Sequence, residues 1–201
     1  AFFASAGINN WKILTILWAL LPLANLVLFA GAPIYSLHEE NEAGMPVKEL
    51  FRQKNSVQSN RLYLIHYPDG MVYEPVLPVD GQYLGYPVFD GESVVLLVVN
   101  FTESAIHILR FLHQQEKTQE VVRLPLSAVK DCYNLILHPS PLSLTRQPND
   151  GTFEIIWPEQ IRFAISSRET LNFRDGDKLY FSIWYEDPDY REETLVRSAQ
   201  D

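Results

Sequence analysis

Histidine and cysteine carry most of the chemistry open to this 201-residue chain, which has five of the first and one of the second. His107 and His113 lie six apart, so a strand places both on one face and a helix separates them. Two imidazoles on one face begin a metal site, but a site also needs a third converging ligand and a supporting shell. His66 and His138 are distant in the chain, no spacing gathers them with the pair, and no metal is expected. His38 differs in position, since it ends a long uncharged run. An imidazole at a membrane edge can ligate a haem-type or chlorophyll-type metal, and His38 is the cofactor-binding candidate on that ground. Nothing else in the chain calls for a cofactor.

Cys132 sits in "KDCYNLILH", whose strand-like texture suits a packed thiol better than an activated one. A single cysteine leaves this chain without an internal disulfide or a Cys-based zinc or iron–sulfur centre. The carboxylates of "YEDPDYREE" form a charge run, which reads as a solvated face. The chain contains no G-x-S-x-G elbow, Gly-rich phosphate loop or H-E-x-x-H. No catalytic residue is assigned, and the expectation is a protein that is not an enzyme. Asn100-Phe101-Thr102 matches the glycosylation sequon but has no secretory context around it, so it reads as chance.

Aromatic residues offer binding instead of catalysis. Tyr83, Tyr86 and Phe89 in "GQYLGYPVF" can form a platform for a partner or a glycan, as can Trp184 and Tyr185, but the favoured reading is that these rings fill the sandwich core.

The elements that must hold these residues begin with the apolar run. Ile13 to Leu37 is 25 residues without a charge, between Lys12 and His38. As a helix at about 1.5 Å per residue it reaches about 37 Å, enough to cross a hydrocarbon core of about 30 Å. It is longer than the apolar part of a signal peptide, and Pro33 after "AGA" is a poor residue to follow a cleavage site. The run is therefore expected to stay as a transmembrane helix, 13–37, after an N-terminal tail, 1–12. Trp18 lies toward its start, Pro22 kinks it, and Asn25 near the middle either bonds a backbone carbonyl that Pro22 frees or faces another helix. Trp18, Pro22 and Asn25 are thus candidate partner-binding residues, alongside Tyr83, Tyr86 and Phe89. The acidic flank of Glu39, Glu40 and Glu42 favours a soluble part outside the cytoplasm, periplasmic or extracellular, while the Lys and Arg count alone points the other way.

Residues 38–60 read as a membrane-proximal stalk, with Pro46 opening a short helix. From Arg61 the texture changes to short β-rich runs such as "SVVLLVVNF", "TFEIIW" and "KLYFSIWY", bounded by turn residues. Asp-Gly occurs five times, which is turn chemistry rather than a calcium cage. Many short strands at this spacing predict a β-sandwich over 61–190 and a tail over 191–201. Within it, "ESVVLLVVNFTESAIHILRFLHQQEKTQEVVRLPLSAV" resembles the middle of immunoglobulin-like domains: a buried strand, a turn, a second apolar run, a charged turn and a further strand. Residues 103–114 admit a second reading, because Glu103, His107, Arg110, Gln114 and Lys117 also share a face at helical spacing.

Charge narrows the partners. Asp and Glu number 25 against 16 Lys and Arg, and all but Lys12 of both sets lie beyond His38. An acidic body lacks the basic footprint for nucleic acid or for docking by charge onto an anionic membrane. The chain is expected to be a mainly β, single-pass membrane protein whose partners are other membrane protein subunits and, through 13–37, the bilayer. In that reading it is an accessory or structural subunit that assembles or stabilises a larger complex. The alternative is a membrane-tethered module that binds a ligand or glycan.

Overall fold

The computed structural model describes residues 61–66, 69–132, 134–148, 150–186 and 189–199, together with the backbone of 26–30. These residues are mainly β. Fifteen strands form antiparallel sheets, and the helical content among the described residues is two 3-10 turns, His113–Gln115 and Leu126–Ala128. The chain separates into two compact units, Ala1–Lys130 and Asp131–Asp201.

In the first unit, β1 (Leu26–Ala30), β2 (Arg61–Ile65) and β3 (Val72–Tyr73) form one sheet in that order. A second sheet runs β4 (Gln82–Leu84), β6 (Val94–Asn100), β7 (Ala105–Leu112), β8 (Lys117–Pro125), with β5 (Val88–Phe89) also paired to β6. The sequence of β6, VVLLVVN, is β-branched and apolar along its length, as suits a strand covered on both faces. Leu62 and Leu64 of β2 share one core with Leu84, Leu96, Val98 and Phe111, so the two sheets bury their apolar sides together. Of residues 103–114, Ala105–Leu112 settle as strand, because β7 has ladders on both edges, to β6 and to β8. The connection from β6 is fastened by Asn100, whose side chain accepts the Glu103 amide at 3.0 Å and donates to the Glu103 carboxylate at 3.1 Å. That same Asn100 is buried, so the sequon is closed to modification in the folded chain.

The second unit has a four-stranded sheet, ordered β12 (Ile161–Ala164), β11 (Thr152–Trp157), β10 (Leu142–Arg146), β9 (Leu135–Pro139). Its partner sheet is β13 (Glu169–Asp175), β14 (Lys178–Tyr185), β15 (Arg191–Ser198). Phe153 and Ile155 from the first sheet meet Leu179 and Phe181 from the second, and Phe153, Phe163 and Phe181 pack edge to face and tilted at 5.1–5.9 Å. All five Asp-Gly glycines adopt positive φ, between 58° and 101°, the conformation that costs glycine least.

Within the span 61–190, read from the sequence as one β-sandwich domain, the described residues fall into two compact units divided after Lys130, with an apolar cluster in each. Of the helix expected over 13–37, the described part is Leu26–Ala30. It is a strand, antiparallel to β2 from Leu26↔Ile65 to Ala30↔Arg61. A short apolar run has no periodicity to separate strand from helix, and an open edge of β2 supplies the ladder. The rest of 13–37 and the stalk 38–60 lie outside the described residues. No helix among the described residues is long and apolar enough to cross a membrane.

His138 on β9 yields a pH prediction. Burial lowers its pKa below the ordinary histidine value, and its Nε2 is 2.8 Å from the Thr145 hydroxyl. The folded state therefore holds the neutral ring to lower pH than the unfolded state does. Between the unfolded value, about 6.5, and the lowered folded one, the unfolded chain binds the extra proton, so stability falls as pH falls through that window. Urea titrations from pH 7.5 to 5 are expected to show this loss, with a shallower pH slope in His138→Gln. An equal slope in both proteins would remove His138 as the cause.

Candidate functional site

Of the three rings in "GQYLGYPVF", Tyr83 and Tyr86 pack inward and do not share a surface with Phe89. Tyr83 is fully buried against Phe101 at 5.7 Å, and burial pushes its hydroxyl up to about 12. Tyr86 packs on the core of the first unit, and only Phe89 of the three is exposed. Trp18, Pro22, Asn25 and His38 lie outside the described residues. His107 and His113 are on a strand and the turn beyond it, yet go to different partners. The His107 Nδ1 is 2.7 Å from the Glu120 carboxylate, whereas His113 stacks on His66. No three His, Cys, Asp or Glu side chains among the described residues could hold a metal ion.

The exposed aromatic surface lies instead on the second unit, on the outward side of the β13–β14–β15 sheet. Strand alternation builds it: in β14, Leu179 and Phe181 point to the core and Tyr180, Ser182 and Trp184 point away. The ladders set Phe173 and Val196 on either side of Tyr180. The Phe173 and Tyr180 rings stack at 4.4 Å, with 12° between their planes. A register shift between Leu171 and Phe173 inserts Asn172 as a bulge residue, and its side-chain oxygen accepts the Ser182 hydroxyl at 3.2 Å. Beyond Ser182, Trp184 lies against Tyr190 at 5.6 Å.

Phe173, Trp184, Tyr190 and Val196 are 52, 49, 76 and 47% exposed, a concentration of large apolar groups on one side of one small sheet. The face is nearly free of charge in its middle, with Lys178 and Glu192 toward its two ends. Tyr185 does not join it: it points the other way along β14, with the Arg191 guanidinium 4.2 Å and that of Arg168 5.8 Å from its ring centre.

Beneath the face the sheet is held by polar anchors. Arg197 of β15 donates from Nε and Nη2 to the same Glu169 oxygen at 3.0 and 2.7 Å, and the other Glu169 oxygen accepts the Ser166 amide at 2.9 Å. These bonds tie the two outer strands of the sheet together, so the outward rings stand on a fixed support. The arrangement can stack on apolar or sugar surfaces through its rings and hydrogen-bond through Asn172 and Ser182; it holds no nucleophile beside a base. Sequence reading reached Trp184 but missed Phe173, Tyr180, Tyr190 and Val196. The available signal was alternation in "KLYFSIWY", where both faces carry rings and one must therefore be outward. No protein family, no characterised protein and no solved structure matches this chain.

Proposed function

We propose that this chain is a non-catalytic accessory subunit, held at a membrane by its apolar run, that assembles or stabilises a larger protein complex through the outward face of the β13–β14–β15 sheet. The observation that carries the reading is the exposure of Phe173, Trp184, Tyr190 and Val196 on that one face. Contiguous exposed apolar area on a small domain marks an interaction surface, and aromatic residues are enriched at the centres of interfaces. The membrane part rests on the uncharged run Ile13–Leu37, and the extracytoplasmic location of the soluble part on the acidic flank at Glu39, Glu40 and Glu42. A helix through Leu26–Ala30 and the β1–β2 ladder exclude one another, so insertion requires β1 to leave β2. The finer fold in this reading is a β-sandwich, with the β6–β7–β8 ribbon as its immunoglobulin-like part.

The test is extraction of the full chain in mild detergent, followed by a native gel, with a Phe173→Ser, Trp184→Ser variant beside it. The chain is expected in the membrane fraction after an alkaline wash and in one defined assembly on the gel. The variant is expected to leave that assembly while keeping its circular dichroism spectrum, because both side chains already face solvent. A chain that runs alone, or a variant that stays in the assembly, overturns the reading.

A second reading, a membrane-tethered glycan-binding module, is favoured by one feature: the stacked Phe173–Tyr180 pair beside the Asn172–Ser182 hydrogen bond sets rings next to polar groups, as sugar recognition requires. Retarded migration of the chain in gels containing soluble polysaccharide, lost in the same variant, would favour it over the subunit.

A further inference from the structure

The first unit contains a cavity of about 260 Å³ that the reading above does not use. Five ring-bearing side chains line it: His66 just after β2, Tyr73 of β3, Phe89 of β5, Phe111 of β7, and His113 in the turn that follows β7. The Asp90–Ser93 turn supplies Glu92. Among the described residues no Lys or Arg lines the cavity, and Glu92 is the lining residue with a full charge.

The walls are set by identifiable contacts. The His66 Nδ1 lies 3.0 Å from both oxygens of Asp69, which also accepts the Met71 amide at 3.0 Å. The Met71 amide, and then the His66 ring, hold Asp69 below the usual carboxylate range. With its Nδ1 committed, the His66 ring stacks on His113 at 5.4 Å, 17° from parallel. Tyr73 and Phe111 meet at 5.3 Å, and Phe89 is 44% exposed. The two acids of the turn are treated differently. Asp90 accepts the Glu92 and Ser93 amides and the Arg110 guanidinium, the last at 2.6 Å. The Glu92 carboxylate has no hydrogen bond or ion pair among the described residues, although its backbone amide is used.

We propose that this cavity binds a small organic cation, an ammonium or guanidinium head group, between its aromatic rings and the Glu92 carboxylate. Aromatic faces attract cations through their quadrupoles, and a carboxylate at the rim adds direct charge complementarity. An anion would meet Glu92 with no fixed cation to balance it. The volume lies just below the usual range of about 300–1,000 Å³ for small-molecule sites, which suits a head group rather than a large ligand.

The test is calorimetric titration of the full chain in mild detergent with choline, its uncharged isostere 3,3-dimethylbutan-1-ol, N-acetyl-lysine methylamide and acetate. Saturable binding of choline or the lysine derivative is expected, with the neutral alcohol and acetate at least about tenfold weaker. Glu92→Gln, through lost charge complementarity, and Phe89→Ala, through a lost ring face, are each expected to weaken cation binding about three- to tenfold. Both residues are exposed, and an unchanged circular dichroism spectrum shows that the variants fold. Preference for choline identifies a free or lipid-borne ammonium, and preference for the lysine derivative a protein side chain; either result supports the cation class. No binding of either cation, equal binding of the neutral alcohol, or unchanged affinity in Glu92→Gln overturns the proposal. None of these outcomes depends on the sheet face of the second unit.

Discussion

Arg146→Ala is expected to lower the unfolding free energy by about 3–5 kcal/mol, the range for breaking a buried ion pair from one side. Arg146 ends β10 with 1% of its surface exposed, and every nitrogen of its fork has a partner. Nη2 and Nε donate to the Asp131 carboxylate at 2.7 and 3.2 Å, Nε also reaches the Asp131 carbonyl at 3.1 Å, and Nη1 donates to Glu154 at 2.9 Å. Burial works against the charged form, but the hydrogen bonds the guanidinium donates to Asp131 and Glu154 outweigh it, and it stays protonated. Removing it strands Glu154, which is 14% exposed and, among the described residues, keeps the solvated Arg162 at 3.3 Å as its ion-pair partner. If stranded charge is the cause, Arg146→Met will still lose most of the stability despite filling much of the volume. Adding Glu154→Leu to Arg146→Met should then recover part of the loss. Urea unfolding of the three proteins decides the matter. A single-variant loss below about 0.5 kcal/mol, the size typical of surface substitutions, would show that the network does not hold the second unit.

Arg146 also shows why part of the fold could not be read from the sequence. In "PLSLTRQPND" an arginine at a strand end reads as solvated, and nothing local announces that Asp131, fifteen residues back, and Glu154, eight ahead, close around it. Local signals did carry the strands: "TFEIIW" and "KLYFSIWY" are β11 and β14 residue for residue, and the Asp-Gly pairs are turns. Those features depend on backbone preference within a few residues. Which face of a strand is covered depends on what packs against it. Alternation in β14 separates Tyr180 and Trp184 from Leu179 and Phe181, but both sets are apolar, so only the packing partner decides which set is core. The same limit applies to Tyr83, whose ring could serve equally well outside or inside, and to His66 and His113, which stack although they lie far apart in the chain. The division into two cores is likewise a property of long-range pairing, invisible in strand spacing.

Phe181→Ala is expected to cost about 3–5 kcal/mol, confined to the second unit. Phe181 is fully buried and stands at the centre of an aromatic group, with Phe153 edge-on at 5.1 Å, Phe163 at 5.9 Å and the Arg197 guanidinium 5.9 Å from its ring centre. Truncation removes the ring and leaves a void between two sheets whose positions are fixed by their ladders, so little collapse can fill it. Phe181→Leu restores most of the volume and should recover more than half of the loss. Neighbouring Trp184, on the same strand but the opposite face, provides the internal control. Trp184→Ser should change stability by no more than roughly 0.5 kcal/mol while abolishing assembly, because its ring covers nothing in the core. Hydrogen exchange by mass spectrometry separates the units. In Phe181→Ala, protection is expected to fall across β11 and β14 and to persist in β6 and β7, where Leu96, Val98 and Phe111 belong to the core of the first unit. Equal loss in both units would mean that their separate cores unfold as one cooperative body.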